Sequence, residues 1–391
     1  MRRRTAIRAV ASGSIATVAG CFTRGNGNAE ENGGEQEDDS TLRVATYSSM
    51  VTGETPAGEW IAEAFEEQFP DIELTWTIPE AGIDNYLQRA RLGAPIDADV
   101  FLGLTLPELA RADDAFSGRL FEPLDRDRLD RHGRVRPSLA FDDPQDRVLT
   151  YDTGFLSLVY NETVLDPPET FTDLLEPEYT GALLMQDPRQ SDPGLGFLLW
   201  TIAEFGEDAP DYWESLRENN AQVYERWTDT YVDAYLEMAG PMVVSYSTDQ
   251  VDAVAADRDL DRHRIATIDG RGYQLPEGVA VFDSTGNREY AYEFIDFLLS
   301  NEAQAEIARR NVQFPAVEPE GLELGPEFAT YAQEPEERIQ FGYEELRGSI
   351  QGWIDAWAEE WSDELEDDDE LDEMDEPAGE TNSTADMAVQ F

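Results

Sequence analysis

Four aromatic residues of this chain are candidates for contact with a positively charged ligand: Tyr47, Trp227, Tyr231 and Tyr246. The face of an aromatic ring attracts a cation through its quadrupole, by roughly 0.5–2 kcal/mol per ring. Trp227 stands in a polar stretch, and Tyr246 ends an apolar run and is followed by hydroxyl residues, as at the mouth of a cleft. A place in the core is the alternative for each of the four, and the sequence leaves both open.

Hydroxyl and carboxyl groups stand at further places where the chain could contact a ligand. Ser48 follows the first of the tyrosines, and Asp152 precedes an apolar run. Ser191 and Asp192 precede an apolar helix pattern, and the backbone N–H groups of a first helical turn favour a negative group. The alternatives are a loop carboxylate that caps local backbone for Asp152, and a helix cap for Ser191 or Asp192.

Motifs of the common hydrolases are missing from the sequence. It has no Gly-x-Ser-x-Gly elbow, no His-Glu-x-x-His pair and no cysteine–histidine pair. Its two histidines, His132 and His263, stand among Asp and Arg and are predicted to lie at the surface. Carboxylates are so numerous that pairs of them carry no weight for glycoside hydrolysis. We therefore expect no enzyme, no metal site and no prosthetic group, and a secreted hydrolase is the weakest alternative.

The charge of the chain indicates its surroundings. Its 84 Asp and Glu face 28 basic residues, all of them arginine, which gives a formal net charge of −56. Such a surface repels itself in dilute buffer, whereas molar salt shortens the Debye length to about 3 Å and screens the repulsion. We expect a protein of an extreme halophile, an archaeon, in which most carboxylates are solvating surface. A charge of this sign also argues against nucleic acid as a partner.

The two ends of the chain predict export and attachment to a membrane. Arginines precede an apolar stretch too short to span a bilayer, as in a secretory signal over residues 1–20. Cys21 closes a sequence that resembles the lipoprotein processing box, and it is predicted to carry lipid. Residues 21–40 would form a flexible tether and residues 362–391 an acidic, disordered tail. An ordinary signal with a stray cysteine is the alternative, and twin-arginine export remains open.

Between these ends, strand and helix patterns alternate over a body of about two domains. This order predicts an α/β fold with parallel sheets covered by helices on both faces. Ligands of such sheets bind beyond the carboxyl ends of the strands, which places Tyr47 and Tyr246 at a cleft. The predicted strands are 42–47, 72–76, 98–103, 155–160, 242–246 and 278–282, and the main predicted helices are 58–68, 86–92, 196–205 and 290–300.

Five segments resemble the thiamine-binding branch of the substrate-binding proteins of ABC importers: 45–49, 98–104, 151–160, 186–200, and 227–231 with 245–248. The resemblance implies a two-lobed, type II periplasmic-binding-protein-like fold with the ligand cleft between the lobes. Lobe 1 would combine 41–150 with 275–361, and lobe 2 would cover 153–270. Gly154 would give the hinge its freedom. A monomer, lipid-anchored at the extracytoplasmic face of the cell membrane, would deliver its ligand to a membrane permease.

The resemblance also implies which residues contact the ligand. Thiamine, a flat aminopyrimidine joined to a cationic thiazolium, suits aromatic faces with negative potential. Three departures stand out: Thr105 replaces an aspartate, Val312 a tryptophan, and Asp192 a neutral threonine. Because Asp192 would repel a phosphate, we expect free thiamine to be preferred over its phosphates. Ferric iron and an organic cation such as a polyamine are the alternative ligands. The implied ligand-binding residues are Tyr47, Ser48, Asp152, Ser191, Trp227, Tyr231 and Tyr246.

Overall fold

The structure, a computed structural model, describes residues 40–53 and 55–362. The predicted signal, the predicted lipid attachment at Cys21, all but the last residue of the predicted tether and all but the first residue of the predicted acidic tail lie outside these residues. Among the helices that the structure describes, none combines the length and the apolar composition needed to cross a membrane.

One mixed sheet of eleven strands runs through the body in the order β2-β1-β3-β9-β4-β7-β5-β6, with β8 and β10 added on β4 and β11 on β9. The strands are β1 (Thr41–Ala45), β2 (Glu73–Thr77), β3 (Val100–Thr105), β4 (Val148–Tyr160), β5 (Leu183–Gln186), β6 (Gln222–Tyr224), β7 (Met242–Tyr246), β8 (Arg264–Ala266), β9 (Arg271–Val281), β10 (Phe314–Pro315) and β11 (Glu337–Ile339).

The expectation of parallel sheets holds at both ends of this sheet and is wrong in its centre. Strand β1 runs parallel to β2 and β3, and β5 runs parallel to β6 and β7. The central strands β4 and β9 are antiparallel to each other, β9 is antiparallel to β3, and β4 is antiparallel to β7. The reason is that the chain passes between the two halves along extended strands, which are longer than the runs predicted at 155–160 and 278–282.

Helices cover the sheet, and several begin with a recognisable cap. Thr105 and Glu108 form a capping box at the start of α4, and Ser300 caps α9. The helices are α1 (Ser48–Val51), α2 (Ala57–Gln68), α3 (Ile83–Leu92), α4 (Leu106–Ala115), α5 (Asp192–Phe205), α6 (Ala209–Glu218), α7 (Asp249–Ala255), α8 (Arg288–Leu298), α9 (Asn301–Arg310), α10 (Gly325–Tyr331), α11 (Tyr343–Leu346) and α12 (Ile350–Glu360).

The fold has two lobes that share the sheet. One is built on β1, β2 and β3, the other on β5, β6 and β7, and β4 and β9 pass through both. An apolar cluster that includes Phe65 and Phe294 joins α2 and α8 to the first lobe, whereas Trp200 and Trp213 anchor α5 and α6 on the second. Helix α12 contacts α4, α5 and α6, and therefore touches both lobes. The assignment of 41–150 with 275–361 to lobe 1 and 153–270 to lobe 2 stays a prediction.

Candidate functional site

A cavity of about 770 Å³ opens where strands of the two lobes end. This volume lies in the range of small-molecule sites, roughly 300–1,000 Å³. The residues that follow β1 and β7 contribute to its wall, together with Phe101 and Gly103 of β3 and the first turns of α4 and α5. Six of the seven residues predicted to contact a ligand line it: Tyr47, Ser48, Ser191, Trp227, Tyr231 and Tyr246.

Tyr47 is held at the cavity by a partly buried network of hydrogen bonds that the sequence did not indicate. Its hydroxyl donates to Glu277 Oε2 at 2.9 Å, and the Tyr151 hydroxyl donates to the same oxygen at 2.6 Å. Asn311 Nδ2 donates to the Tyr47 hydroxyl oxygen at 2.7 Å. Glu277 is thus the acceptor that fixes the ring, and it faces the cavity itself. Burial raises the pKa of Glu277 to about 7, against the lowering effect of the two tyrosine donors.

Asp152 is the predicted site residue that does not reach the cavity wall. It is fully buried on β4, paired across the sheet with Glu277 on β9, and its Oδ2 accepts from Asn311 Nδ2 at 3.1 Å. Its Oδ1 has no hydrogen-bond partner among the described residues. Burial first, and then the charge of Glu277, raises the pKa of Asp152 well above its usual range. Asp152 therefore lies behind the cavity wall, in contact with Asn311 and opposite Glu277, which both line it.

Two more carboxyl groups meet at the cavity, one from each lobe. Glu108 stands in the first turn of α4, where its Oε2 accepts from the Thr105 backbone N–H at 2.9 Å. Asp192 is the first residue of α5. Burial and the charge of Asp192 raise the pKa of Glu108 to about 8. Burial and the charge of Glu277 raise the pKa of Asp192 to about 7. Thr105, which replaces the aspartate that the resemblance implied, caps α4 through its side chain. The carboxyl group that lies beside the end of β3 is therefore that of Glu108.

Trp227 rests on a layered support beneath the cavity. Its ring stacks on Tyr231 with centroids 4.7 Å apart and planes 10° apart, and its Nε1 donates to Ser245 Oγ at 3.1 Å. Tyr231 is buried and forms both a stack partner and part of the wall. Its hydroxyl lies 3.3 Å from His263 Nδ1, which is 2.7 Å from Asp249 Oδ2. Tyr231 therefore combines the two predicted places for an aromatic residue: it packs in the core, and it also lines the cavity.

The prediction that His263 lies at the surface is wrong. Its side chain is 3% exposed, because the turn before β8 carries the ring beneath Tyr231 and Tyr235, where Asp249 accepts from it. The acids and arginines around it in sequence belong to the exposed side of that turn. His132 is half-buried, with its Nδ1 at 2.7 Å from the Leu129 carbonyl oxygen.

Two glycines allow the cleft tyrosines to lie directly on the sheet. A Cβ on Gly103 would stand 2.5 Å from Tyr47 Cε1, and a Cβ on Gly154 would stand 2.8 Å from Tyr246 Cδ1. Gly103 also has φ +100° at the bulge between β3 and β9, a conformation for which glycine is suited. Gly154 thus serves close packing, and its predicted role in a hinge stays a prediction.

The loop after α9 completes the wall with Asn311, Val312 and Gln313. Val312 has φ +55°, which is rare for a β-branched residue and concentrates at functional sites. Among the described residues, no group of three or more His, Cys, Asp or Glu is placed to hold a metal ion.

A two-lobed α/β body with a polar, aromatic-lined cavity at its strand ends defines a protein that encloses a small molecule. The chain belongs to the bacterial extracellular solute-binding protein family, whose model matches residues 99–335. It is 28% identical over 278 residues to the thiamine-binding periplasmic protein of Brucella suis biovar 1 (strain 1330), covering 71% of this chain and 79% of that protein.

Two further similarities bear on the ligand. A solved structure of a periplasmic thiamin binding protein superposes with a TM-score of 0.69 at 26% identity, over 82% of this chain and 96% of that one. Iron uptake protein A1 of Synechocystis sp. (strain ATCC 27184 / PCC 6803 / Kazusa) is more distant, with 23% identity over 266 residues, 65% of this chain and 71% of that protein.

Proposed function

We propose that this protein captures thiamine outside the cell and delivers it to the membrane permease of an ABC importer. The observation that carries the proposal is the wall of the cavity, which joins the rings of Tyr47, Trp227 and Tyr246 to the carboxyl group of Glu277. Ring faces and a carboxylate both attract a permanent cation, and the thiazolium of thiamine is one. The names of the relatives described above support the same ligand.

The charge of the cavity favours a cation over an anion. Each of four arginines on the wall already has a carboxylate partner: Arg111 pairs with Asp84, Arg189 with Asp187, Arg226 with Glu225, and Arg310 with Glu306. None of the ion pairs among the described residues involves Glu108, Asp192 or Glu277. The excess charge that faces a ligand is therefore negative. The same argument disfavours a phosphate, and we propose that free thiamine is preferred over its phosphates.

The proposal includes how the protein is placed in the cell. A lipid on Cys21 would hold a monomer at the extracytoplasmic face of the membrane, within reach of the permease. No chemistry is done on the ligand and no prosthetic group takes part. The lack of lysine and the net charge of −56 support a halophilic source, because such a surface needs salt to screen its self-repulsion.

Thermal unfolding in molar KCl tests the ligand. Thiamine at a hundredfold excess over its Kd should stabilise the fold by about 2.7 kcal/mol, and its monophosphate and diphosphate should stabilise it less at equal concentration. Spermidine and ferric citrate are the comparison ligands. A shift with either of these but none with thiamine would overturn the specificity, as would a colour change on adding iron.

The support beneath Trp227 gives a second test. Trp227→Ala removes a ring face that is already stacked on Tyr231, and we expect thiamine to bind about tenfold more weakly, since one cation–ring contact is worth up to about 2 kcal/mol. Trp227→Phe should recover part of that loss, because a smaller ring face remains. Isothermal titration calorimetry gives both constants.

The control is Trp353→Ala. Trp353 is half-buried on α12 and packs on Phe341 with centroids 5.5 Å apart, so its removal costs a similar ring contact away from the cavity. It should leave the thiamine Kd unchanged. Equal weakening in the two alanine variants would mean that Trp227 acts through stability and not through the ligand.

A further inference from the structure

Two helices from opposite lobes present acids in their first turns to one cavity. Glu108 lies three residues into α4, after β3 of the first lobe, and Asp192 begins α5 of the second. Both line the cavity, and each lies close enough to the other acids there to respond to their charge. Both acids are only partly exposed, and both lie within hydrogen-bond reach of the Thr105 side chain, whose hydroxyl is 3.1 Å from Glu108 Oε2. Two partly desolvated carboxylates at one hydroxyl cannot both be charged cheaply, so one of them holds a proton.

The surroundings do not supply the missing positive charge. Arg111 faces both acids from α4, but its Nη1 is 2.9 Å from Asp84 Oδ2. Two further ionisable groups act on the pair, the acid Glu277 on β9 and the phenol Tyr246 on β7. Arg189, Arg226 and Arg310 also line the cavity, but each has a carboxylate partner of its own. A positive charge brought in by a ligand would therefore be the main compensation for the pair.

We propose that the cleft exchanges a proton for its ligand: Glu108 and Asp192 share one proton when the cavity is empty, and a bound organic cation releases it to solvent. This inference rests on the proposed function and specifies its selectivity. The released proton balances the charge of the thiazolium, so the net charge of the occupied cavity changes little. A phosphorylated ligand brings its own negative charge and cannot make this exchange.

The coupling of ligand binding to proton release fixes the direction in which the affinity for thiamine changes with pH. The acids that line the cavity hold protons up to a higher pH in the empty protein than in the complex, so binding releases protons and tightens as pH rises. Between pH 6 and pH 8 the affinity for thiamine should rise by roughly tenfold to a hundredfold, since one displaced proton changes Kd by up to about tenfold per pH unit. The thiazolium charge is permanent and contributes nothing to this slope.

Calorimetry measures the exchange directly. Titrating thiamine into the protein at pH 7 in molar KCl, once in PIPES and once in Tris, gives the number of protons released from the difference in heat. We expect between about one half and one proton per thiamine. Asp192→Asn and Glu108→Gln should each lower this number by about half or more and make the dependence of Kd on pH less steep, because the pair no longer shares a proton and Glu277 is the acid left to release one.

Both substitutions keep the local structure. Glutamine at position 108 can still accept from the Thr105 backbone N–H, as the capping box requires, and asparagine has the shape of aspartate. The matched control is Glu63→Gln, which makes the same change of charge at an exposed position of α2 and should release as many protons as the unchanged protein.

The unfolding temperature of the protein without ligand tests the shared proton independently of the proposed function. The unfolding temperature of the empty protein should fall as pH rises from 6 to 9, and it should fall less in Asp192→Asn. Thiamine binding without proton release would overturn the exchange and leave the proposed function intact. Parallel pH curves for the two empty proteins would overturn the shared proton even if thiamine did not bind. Failure of thiamine to bind, with curves that diverge, would overturn only the proposed function.

Discussion

Replacing Glu277 with glutamine is expected to weaken the binding of thiamine by about 30-fold or more at pH 8, since removing one partner of a desolvated charge pair costs at least about 2 kcal/mol. Glu277 is the carboxyl group on which the Tyr47 and Tyr151 hydroxyls converge. Glutamine keeps the size of the side chain and one acceptor oxygen. The predicted loss is therefore a loss of charge, and calorimetry at several pH values measures it.

The pH dependence of this loss separates charge from shape. The pKa of Glu277 is raised to about 7, chiefly by burial, so the unchanged side chain is itself neutral well below that pH. The difference in Kd between the two proteins should shrink below pH 6. A difference of equal size at pH 5 and pH 8 would mean that glutamine disturbs the packing and that the carboxylate does not hold the cation.

Glu277→Gln should weaken the binding of thiamine but raise the stability of the protein without ligand. Because the pKa of Glu277 is higher in the folded protein than the value of about 4.3 in an unfolded chain, its ionisation opposes folding as pH rises through both values. Glu277→Gln should therefore unfold at a higher temperature than the unchanged protein at pH 8, and at a similar one at pH 4. Tyr151→Phe is the control: it removes a donor to Glu277 but keeps the charge, and should change the Kd less.

Much of the fold follows from local sequence. The apolar runs that became β1, β3 and β7 lie within a few residues of their predicted bounds, because each run is short, buried and followed by a polar turn. Helix α5 begins at Asp192 and not near Gly196, since proline is well accommodated in a first turn and the small residues there let the helix approach the Gln186 carbonyl oxygen.

The centre of the sheet could not be predicted by the same means. Strand β9 begins at Arg271, seven residues before the predicted start, because Gln274, Pro276 and Glu277 interrupt its apolar pattern. A carboxyl group inside a strand of the sheet is a cost for the fold unless it serves a site, and that signal could have identified Glu277, which is half-buried. The same reasoning applies to His263, whose acidic neighbours in sequence concealed a buried partner, Asp249.

The candidate site also depends on contacts between residues that are far apart in the sequence. The sequence identified the aromatic residues of the cavity but not what each one rests on. Tyr246 lies on Gly154, and Trp227 rests on Tyr231 and, through it, on His263. Such contacts follow from the register of the strands, which local patterns do not fix when the strands come from distant segments.

Replacing Gly103 with alanine is expected to damage the site more than any surface change, because it removes Tyr47 from its place. A Cβ there would stand 2.5 Å from Tyr47 Cε1 and 2.6 Å from Cδ1, whereas carbon atoms pack at about 3.5–4.0 Å. The ring must withdraw by about 1 Å, which breaks its hydrogen bonds to Glu277 and Asn311. Losing the ring face and one charge-assisted hydrogen bond together predicts binding of thiamine about a hundredfold weaker.

Gly93→Ala separates this displacement from simple backbone strain. Gly93 ends α3 with φ +66°, and a Cβ added there would have no atom within 4 Å, whereas Gly103 has φ +100° and the ring against it. Both variants should lose stability, because a side chain at positive φ costs roughly 1–2 kcal/mol. Only Gly103→Ala should lose affinity, measured by calorimetry on samples confirmed as folded by circular dichroism. Unchanged affinity in that variant would show that a ligand does not need Tyr47 where the structure places it.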